Sequence, residues 1–168
     1  MDNYLLKLFN LSGKVVLITG ATGQLGRKLC ESYLSLNCKV IGLDLKTNSN
    51  RIDNIEYQEV NISIRSEVEN AMRNIFEKYD GIDILINNAG VSTFEPFEKR
   101  DEEKFDWVMD VNLKGTFWCH QAYVNEFDRI KAERGVIINV ASFYGVVSPD
   151  FRMYSDGDRK NSEVYGAT

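Results

Sequence analysis

Lys14-Val15-Val16-Leu17-Ile18-Thr19-Gly20-Ala21-Thr22-Gly23-Gln24-Leu25-Gly26 decides how this chain folds. An apolar, β-branched run enters a glycine-rich turn. Helical periodicity follows over about residues 24–36, where Leu25, Leu29, Tyr33 and Leu36 recur at helical spacing. A nearly continuous apolar run reads as a strand buried on both faces. The same alternation continues outward. Residues 39–44, 55–62, 82–87 and 136–140 read as four more strands. Residues 63–79 read as a helix with Ile64, Val68, Ala71, Met72, Ile75 and Phe76 on one face, and a long helix covers roughly 101–129. Strands alternating with helices call for right-handed βαβ units, which predicts an α/β fold with a doubly wound parallel sheet.

The 168 residues suit one domain, and 43% apolar with 27% charged residues describes an ordinary globular chain. The net charge is −5 and the basic residues form no long run, which argues against a nucleic-acid partner. No apolar run reaches the ~18 residues a membrane span needs. Residues 1–9 are too short and interrupted for a signal peptide, so a cytoplasmic protein without membrane contact is expected. Cys30, Cys38 and Cys119 are odd in number and contain no C-x-x-C, which predicts buried free thiols and no metal site. His120 has no neighbour at ligand spacing and reads as a packing or surface residue. The charge run 99–104 reads as a solvated helix start, and 148–163 as a polar surface loop. The stretch from Trp107 to Phe127 is apolar on more than one stripe. Its outer face is expected to meet a second copy or a segment absent from the sequence; cover by the chain's own loops is the alternative.

The turn after the first strand carries the chemistry. Glycines there let backbone approach a pyrophosphate, and the helix N-terminus offers unpaired N–H groups and a positive dipole end. Gly20, Thr22, Gly23, Gln24, Leu25 and Gly26 are therefore candidate dinucleotide contacts; a purely structural turn is the alternative. Asp44 ends the second strand with Leu45 beside it. An acid there accepts hydrogen bonds from ribose hydroxyls and repels a 2′-phosphate, favouring NAD over NADP. Its alternative role is a turn or cap residue. Asn87-Asn88-Ala89-Gly90 closes the fourth strand where ligands of open α/β sheets bind, so Asn88, Ala89 and Gly90 join the candidates.

These motifs, with Asn112 in Val111-Asn112-Leu113-Lys114-Gly115, Ser142 in Asn139-Val140-Ala141-Ser142, and Tyr165, stand in the order of the short-chain dehydrogenase/reductase family, which the chain resembles from Leu11 onward. The resemblance implies a Rossmann fold and hydride transfer between a nicotinamide and a small carbonyl or alcohol substrate. It implies that Tyr165 gives or takes the proton, that Ser142 binds the substrate oxygen, and that Asn112 supports a water-linked proton path. It places Asn61 and Ile62 where the family often has an Asp-Val pair against adenine. Gln24 stands where the main branch has glycine, so the turn follows the T-G-x-x-G-x-x-G spacing of other branches. The family's Tyr-x-x-x-Lys puts its Lys next after Thr168, where the sequence ends. Residues 1–168 are thus expected to form one NAD(P)-binding domain, incomplete at its C-terminus. A non-catalytic nucleotide-binding remnant, or an interaction protein pairing through the apolar helix, are the competing expectations.

Overall fold

The computed structural model describes residues 10–47, 51–150, 152 and 162–168. The expected N-terminal segment 1–9 and the interior of the loop 148–163 lie outside the described residues. Five strands, β1 (Val15–Thr19), β2 (Lys39–Asp44), β3 (Glu56–Glu59), β4 (Ile84–Asn87) and β5 (Val136–Asn139), form one sheet in the order β3-β2-β1-β4-β5. Every neighbouring pair is parallel. Between them lie α1 (Gln24–Ser35), α2 (Arg65–Tyr79), α3 (Glu102–Val108), a π-helical turn (Met109–Gly115) and α4 (Thr116–Arg129), and a short α5 (Glu163–Ala167) closes the chain. The fold is the doubly wound α/β sheet expected, with the strand order reversing between β1 and β4.

Side-chain alternation along each strand feeds two cores. Val16, Ile18, Val40, Ile84 and Ile86 pack toward Cys30 of α1 on one face. Leu17, Ile41, Leu43 and Leu85 pack on the other against α2 and α4 through Val68, Met72, Ile75, Phe76, Cys119 and Tyr123. Every residue of the central β1 is buried. Burying a side chain such as Leu17 or Ile18 fully contributes about 2–3 kcal/mol, so this strand anchors the domain.

The structure departs from the expected elements where packing overrides pattern. On α1 the buried residues are Gly26 and Cys30, while Leu25 and Leu36 are exposed. Leu29 and Tyr33 of the expected stripe do pack against the core around Cys30. β3 ends at Glu59, although the apolar text runs on. Val60 and Ile62 are buried, but they lie beyond the ladder. Ile64 caps α2 and is exposed rather than joining its apolar face. The long helix is interrupted by the π turn, which adds a residue to the helical circuit and changes which residues face the sheet. Val108, Val111, Cys119 and Tyr123 face inward, and Trp107, Leu113, Phe117 and Val124 face outward and remain exposed.

Candidate active site

The reversal of strand order opens a crevice at the carboxyl ends of β1 and β4. Its floor is stitched by short polar contacts. Thr19 Oγ1 accepts the backbone N–H of Asn88 (3.1 Å) and of Ala89 (3.0 Å). The Asn88 side-chain amide donates back to the carbonyls of Thr19 (3.0 Å) and Gly20 (3.1 Å). Gly20 has φ +64°, a conformation that L side chains rarely adopt, and a Cβ there would stand 2.8 Å from Ala89 Cα. A Cβ on Gly26 would lie 2.0 Å from the Gly20 carbonyl oxygen. The helix therefore sits directly on the turn. Gly23 caps α1 without a side-chain hydrogen bond, so no side chain covers the N–H groups of its first turn.

Asp44 is fixed at the rim. Its Oδ2 accepts from the Thr22 backbone N–H (2.9 Å) and hydroxyl (2.8 Å), and its Oδ1 accepts from Leu45 N–H (2.8 Å). A carboxylate offers roughly four acceptor positions, so about one stays open toward the crevice. The groove has a volume of about 340 Å³. Gly20, Thr22, Gly23, Gln24, Leu25, Gly26, Asp44, Leu45, Asn61, Ile62, Asn88, Ala89 and Gly90 all line it. So do Leu43, Val60, Val91 and Val111, which the sequence reading missed. Leu43 and Val60 directly precede Asp44 and Asn61, and strand-end position was the available signal.

A second hollow of about 280 Å³ brings Asn112, Ser142 and Tyr165 together and shares Leu25, Asn88, Ala89 and Gly90 with the first. Ser142 follows β5 and caps a single 3₁₀ turn, accepting Tyr144 N–H at 3.2 Å. Its cap role leaves the hydroxyl proton free to donate. Asn112 lies within the π turn. Its Oδ1 accepts Val91 N–H (2.8 Å), and its amide donates to Val91 C=O (3.0 Å) and Thr168 Oγ1 (3.0 Å). Tyr165 is half-buried in α5, and its backbone N–H donates to Ser162 Oγ at 3.3 Å.

Within the charge run 99–104, Lys99 and Asp101 to Lys104 are exposed and Asp101 caps α3, the solvated helix start expected, while Arg100 turns inward. The Arg100 side chain is only 8% exposed and pairs with Glu163 and Glu95. Its hydrogen bonds hold the Glu163 carboxyl below the usual carboxylate range, and Lys104 does the same for Glu95. Two carboxylates drew the guanidinium inward, and both are distant in sequence or hidden in a loop. Asn87 does not line either hollow; it donates to Asn139 Oδ1 (3.0 Å), which also meets His120 Nε2 at 2.9 Å. His120 thus packs against the end of β5. All three cysteines are free and buried, and burial pushes the Cys30 thiol up to about 11 and Cys119 to about 12. Among the described residues no group of acidic, His or Cys side chains is placed to hold a metal, and no helix is long and apolar enough to cross a membrane.

The groove fits a dinucleotide on its own terms: a glycine cradle that any Cβ would fill, an uncapped helix start, and an acceptor at the rim. Comparison with known proteins agrees. The sequence profile of short chain dehydrogenases matches residues 14–156. An NAD-dependent glycerol dehydrogenase of Listeria innocua is 32% identical over 153 residues, which is 86% of this chain and 58% of that protein. A 3-oxoacyl-[acyl-carrier-protein] reductase FabG of Vibrio cholerae is 30% identical over 144 residues, 82% of this chain and 58% of that one. The crystal structure of a short chain dehydrogenase from Leptospira borgpetersenii with bound NAD+ superposes with a TM-score of 0.86 at 37% identity, covering 99% of this chain and 63% of that one. The chain spans between 52% and 60% of the length of the curated relatives it matches.

Proposed function

This chain belongs to the short-chain dehydrogenase family, and on that premise we propose that its protein transfers hydride between a nicotinamide dinucleotide and a small carbonyl or alcohol substrate. One observation carries the reading: the glycine-floored groove and the hollow of Ser142 and Tyr165 share a wall, Leu25 with Asn88, Ala89 and Gly90. A group held in the first therefore ends beside the hydroxyls of the second. Residues 1–168 contribute one dinucleotide-binding domain on this reading.

The turn from Gly20 to Gly26 and the start of α1 hold the pyrophosphate, where backbone N–H groups and the helix dipole meet its charge. Asp44 keeps an acceptor for a ribose hydroxyl, and its negative charge disfavours a 2′-phosphate, so NAD is preferred to NADP. The names of the Listeria and Leptospira proteins support that choice. Asn61 and Ile62 border the adenine end. The bound dinucleotide supplies or accepts the hydride at the substrate carbon. Tyr165 gives or takes the matching proton at the substrate oxygen, a role that a positive charge beside a phenol supports. Ser142 donates its free hydroxyl proton to the same oxygen. Asn112 holds the strand-end segment at Val91 to Thr168 and so frames the hollow. The exposed outer face of α3 and α4, with Trp107, Leu113, Phe117 and Val124, supports pairing of two copies. The free thiols fit a reducing compartment such as the cytoplasm.

The test uses the full-length protein, NADH, and a panel of aldehydes, ketones and keto-sugars. Tyr165→Phe is expected to lower kcat by about 10²-fold or more and to leave NADH affinity within about twofold. A folded protein that neither binds NADH nor turns over any of the panel contradicts the proposal.

A further inference from the structure

We propose that Arg100 is a positioning residue, whose guanidinium clamps the helix carrying Tyr165 to the loop leaving β4 and so sets where the phenol stands in the hollow. The effect on catalysis rests on the hydride-transfer reading above; the clamp itself does not.

A guanidinium taken out of water is destabilising unless its donors are satisfied by well-placed acceptors. Arg100 is satisfied from two directions. Its Nε donates to Glu163 Oε1 at 3.0 Å and its Nη2 to Glu163 Oε2 at 3.3 Å, a two-point contact that fixes the carboxylate in plane. Its Nη1 donates to Thr93 Oγ1 at 2.8 Å and pairs with Glu95. Thr93 and Glu95 belong to the segment that leaves β4 past Gly90. Glu163 opens α5, two residues before Tyr165.

α5 has five residues, and a single turn of helix does not hold itself in water. Its position must come from contacts with the rest of the fold. Val164 is buried beneath it. Asn112 grips its far end through Thr168 and also grips Val91 by both backbone groups. Asn112 and Arg100 thus bridge the same two elements, one at each end of the helix, with Tyr165 between them. Misplacing a reacting group by about 1 Å can cost about 10²-fold in rate, so a clamp two residues away bears on kcat. Lysine would supply the charge without the planar fork.

The test compares Arg100→Met, Glu163→Gln, the double variant and Arg100→Lys in the full-length protein. It reads kcat, NADH affinity, and amide exchange of residues 162–168 against those of α1. Each single loss is expected to lower kcat about tenfold and leave NADH affinity within about twofold, because the dinucleotide groove does not contain the clamp. The double variant is expected to fall no further than the worse single by more than about twofold, the mark of one shared interaction. Exchange in 162–168 rises while α1 is unchanged. Arg100→Lys gives an intermediate kcat, and it carries the test if Arg100→Met does not fold. Unchanged exchange in 162–168, or additive losses, overturns the clamp. Absence of any turnover by the unsubstituted protein strikes the hydride-transfer reading alone, and the exchange measurement then decides the clamp.

Discussion

The dinucleotide groove and the hollow beside Tyr165 share a wall but are built in different ways. The groove is made of backbone. Its floor is Gly20 against Ala89 and Gly26 against Gly20, on strands with no exposed side chain in β1. The α5 side of the hollow is held in place by side chains reaching across the fold: Asn112 to Val91 and Thr168, and, outside its lining, Arg100 to Glu163 and Thr93. Another side of the hollow leans on β5, which among the described residues pairs only with β4 and leaves Val136 51% and Ile138 40% exposed. Backbone contacts among buried strands tolerate little change and need no charge. Side-chain ties to a five-residue helix are adjustable and depend on ionisation. The glycine-floored half of the molecule is therefore expected to yield less to local chemistry than the half holding Ser142 and Tyr165.

Substitutions that strike each construction separately would break this contrast. The largest expected effect is at Gly26→Ala. Its new Cβ meets a backbone oxygen that cannot move without dragging the Asn88 contacts, at a cost of about 3 kcal/mol. Thermal unfolding should fall by roughly 10 °C and NADH binding should weaken beyond detection. A stable Gly26→Ala protein with undiminished NADH affinity would mean that the groove is no more rigid than the hollow.

A smaller effect separates the halves by pH. The Arg100 guanidinium holds the Glu163 carboxyl below its ordinary 4.5, so this tie is complete above that value. It is lost as pH falls through the lowered value, because protonation removes the charge that Arg100 pairs with. Amide exchange, corrected for its intrinsic pH dependence, should therefore rise in residues 162–168 below pH 4.5 before it rises in α1. Simultaneous loss in both segments would make the contrast one of degree.

The same difference explains what was legible in the sequence. The alternation of strands and helices, the glycine turn and Asp44 follow from neighbours in the chain: an apolar run, a turn and a helix start within a few residues of one another. Every residue read as a dinucleotide contact does line the groove. Ser142, Asn112 and Tyr165, which line one hollow, were singled out only through the joint order of motifs, since each taken alone reads as a cap or a packing residue. Arg100 was misread because its carboxylate partner Glu163 lies 63 residues away and no local pattern links them. The π turn escaped for a related reason: apolar periodicity reports a helix and does not show one residue added to its circuit. Of the stripe expected over residues 24–36, Leu29 and Tyr33 pack against the core, whereas Leu25 and Leu36, the latter just past the helix, are exposed.

The most direct test of the account is a paired titration of the protein with NADH and NADPH, repeated with Asp44→Ala. Asp44 is held at the rim by Thr22 and Leu45 with its charge facing the groove. The account predicts NADH binding tighter than NADPH by about tenfold or more, and a preference that collapses in Asp44→Ala because the like-charge repulsion is gone. Binding of neither dinucleotide, or an NADPH preference that Asp44→Ala leaves unchanged, would contradict it.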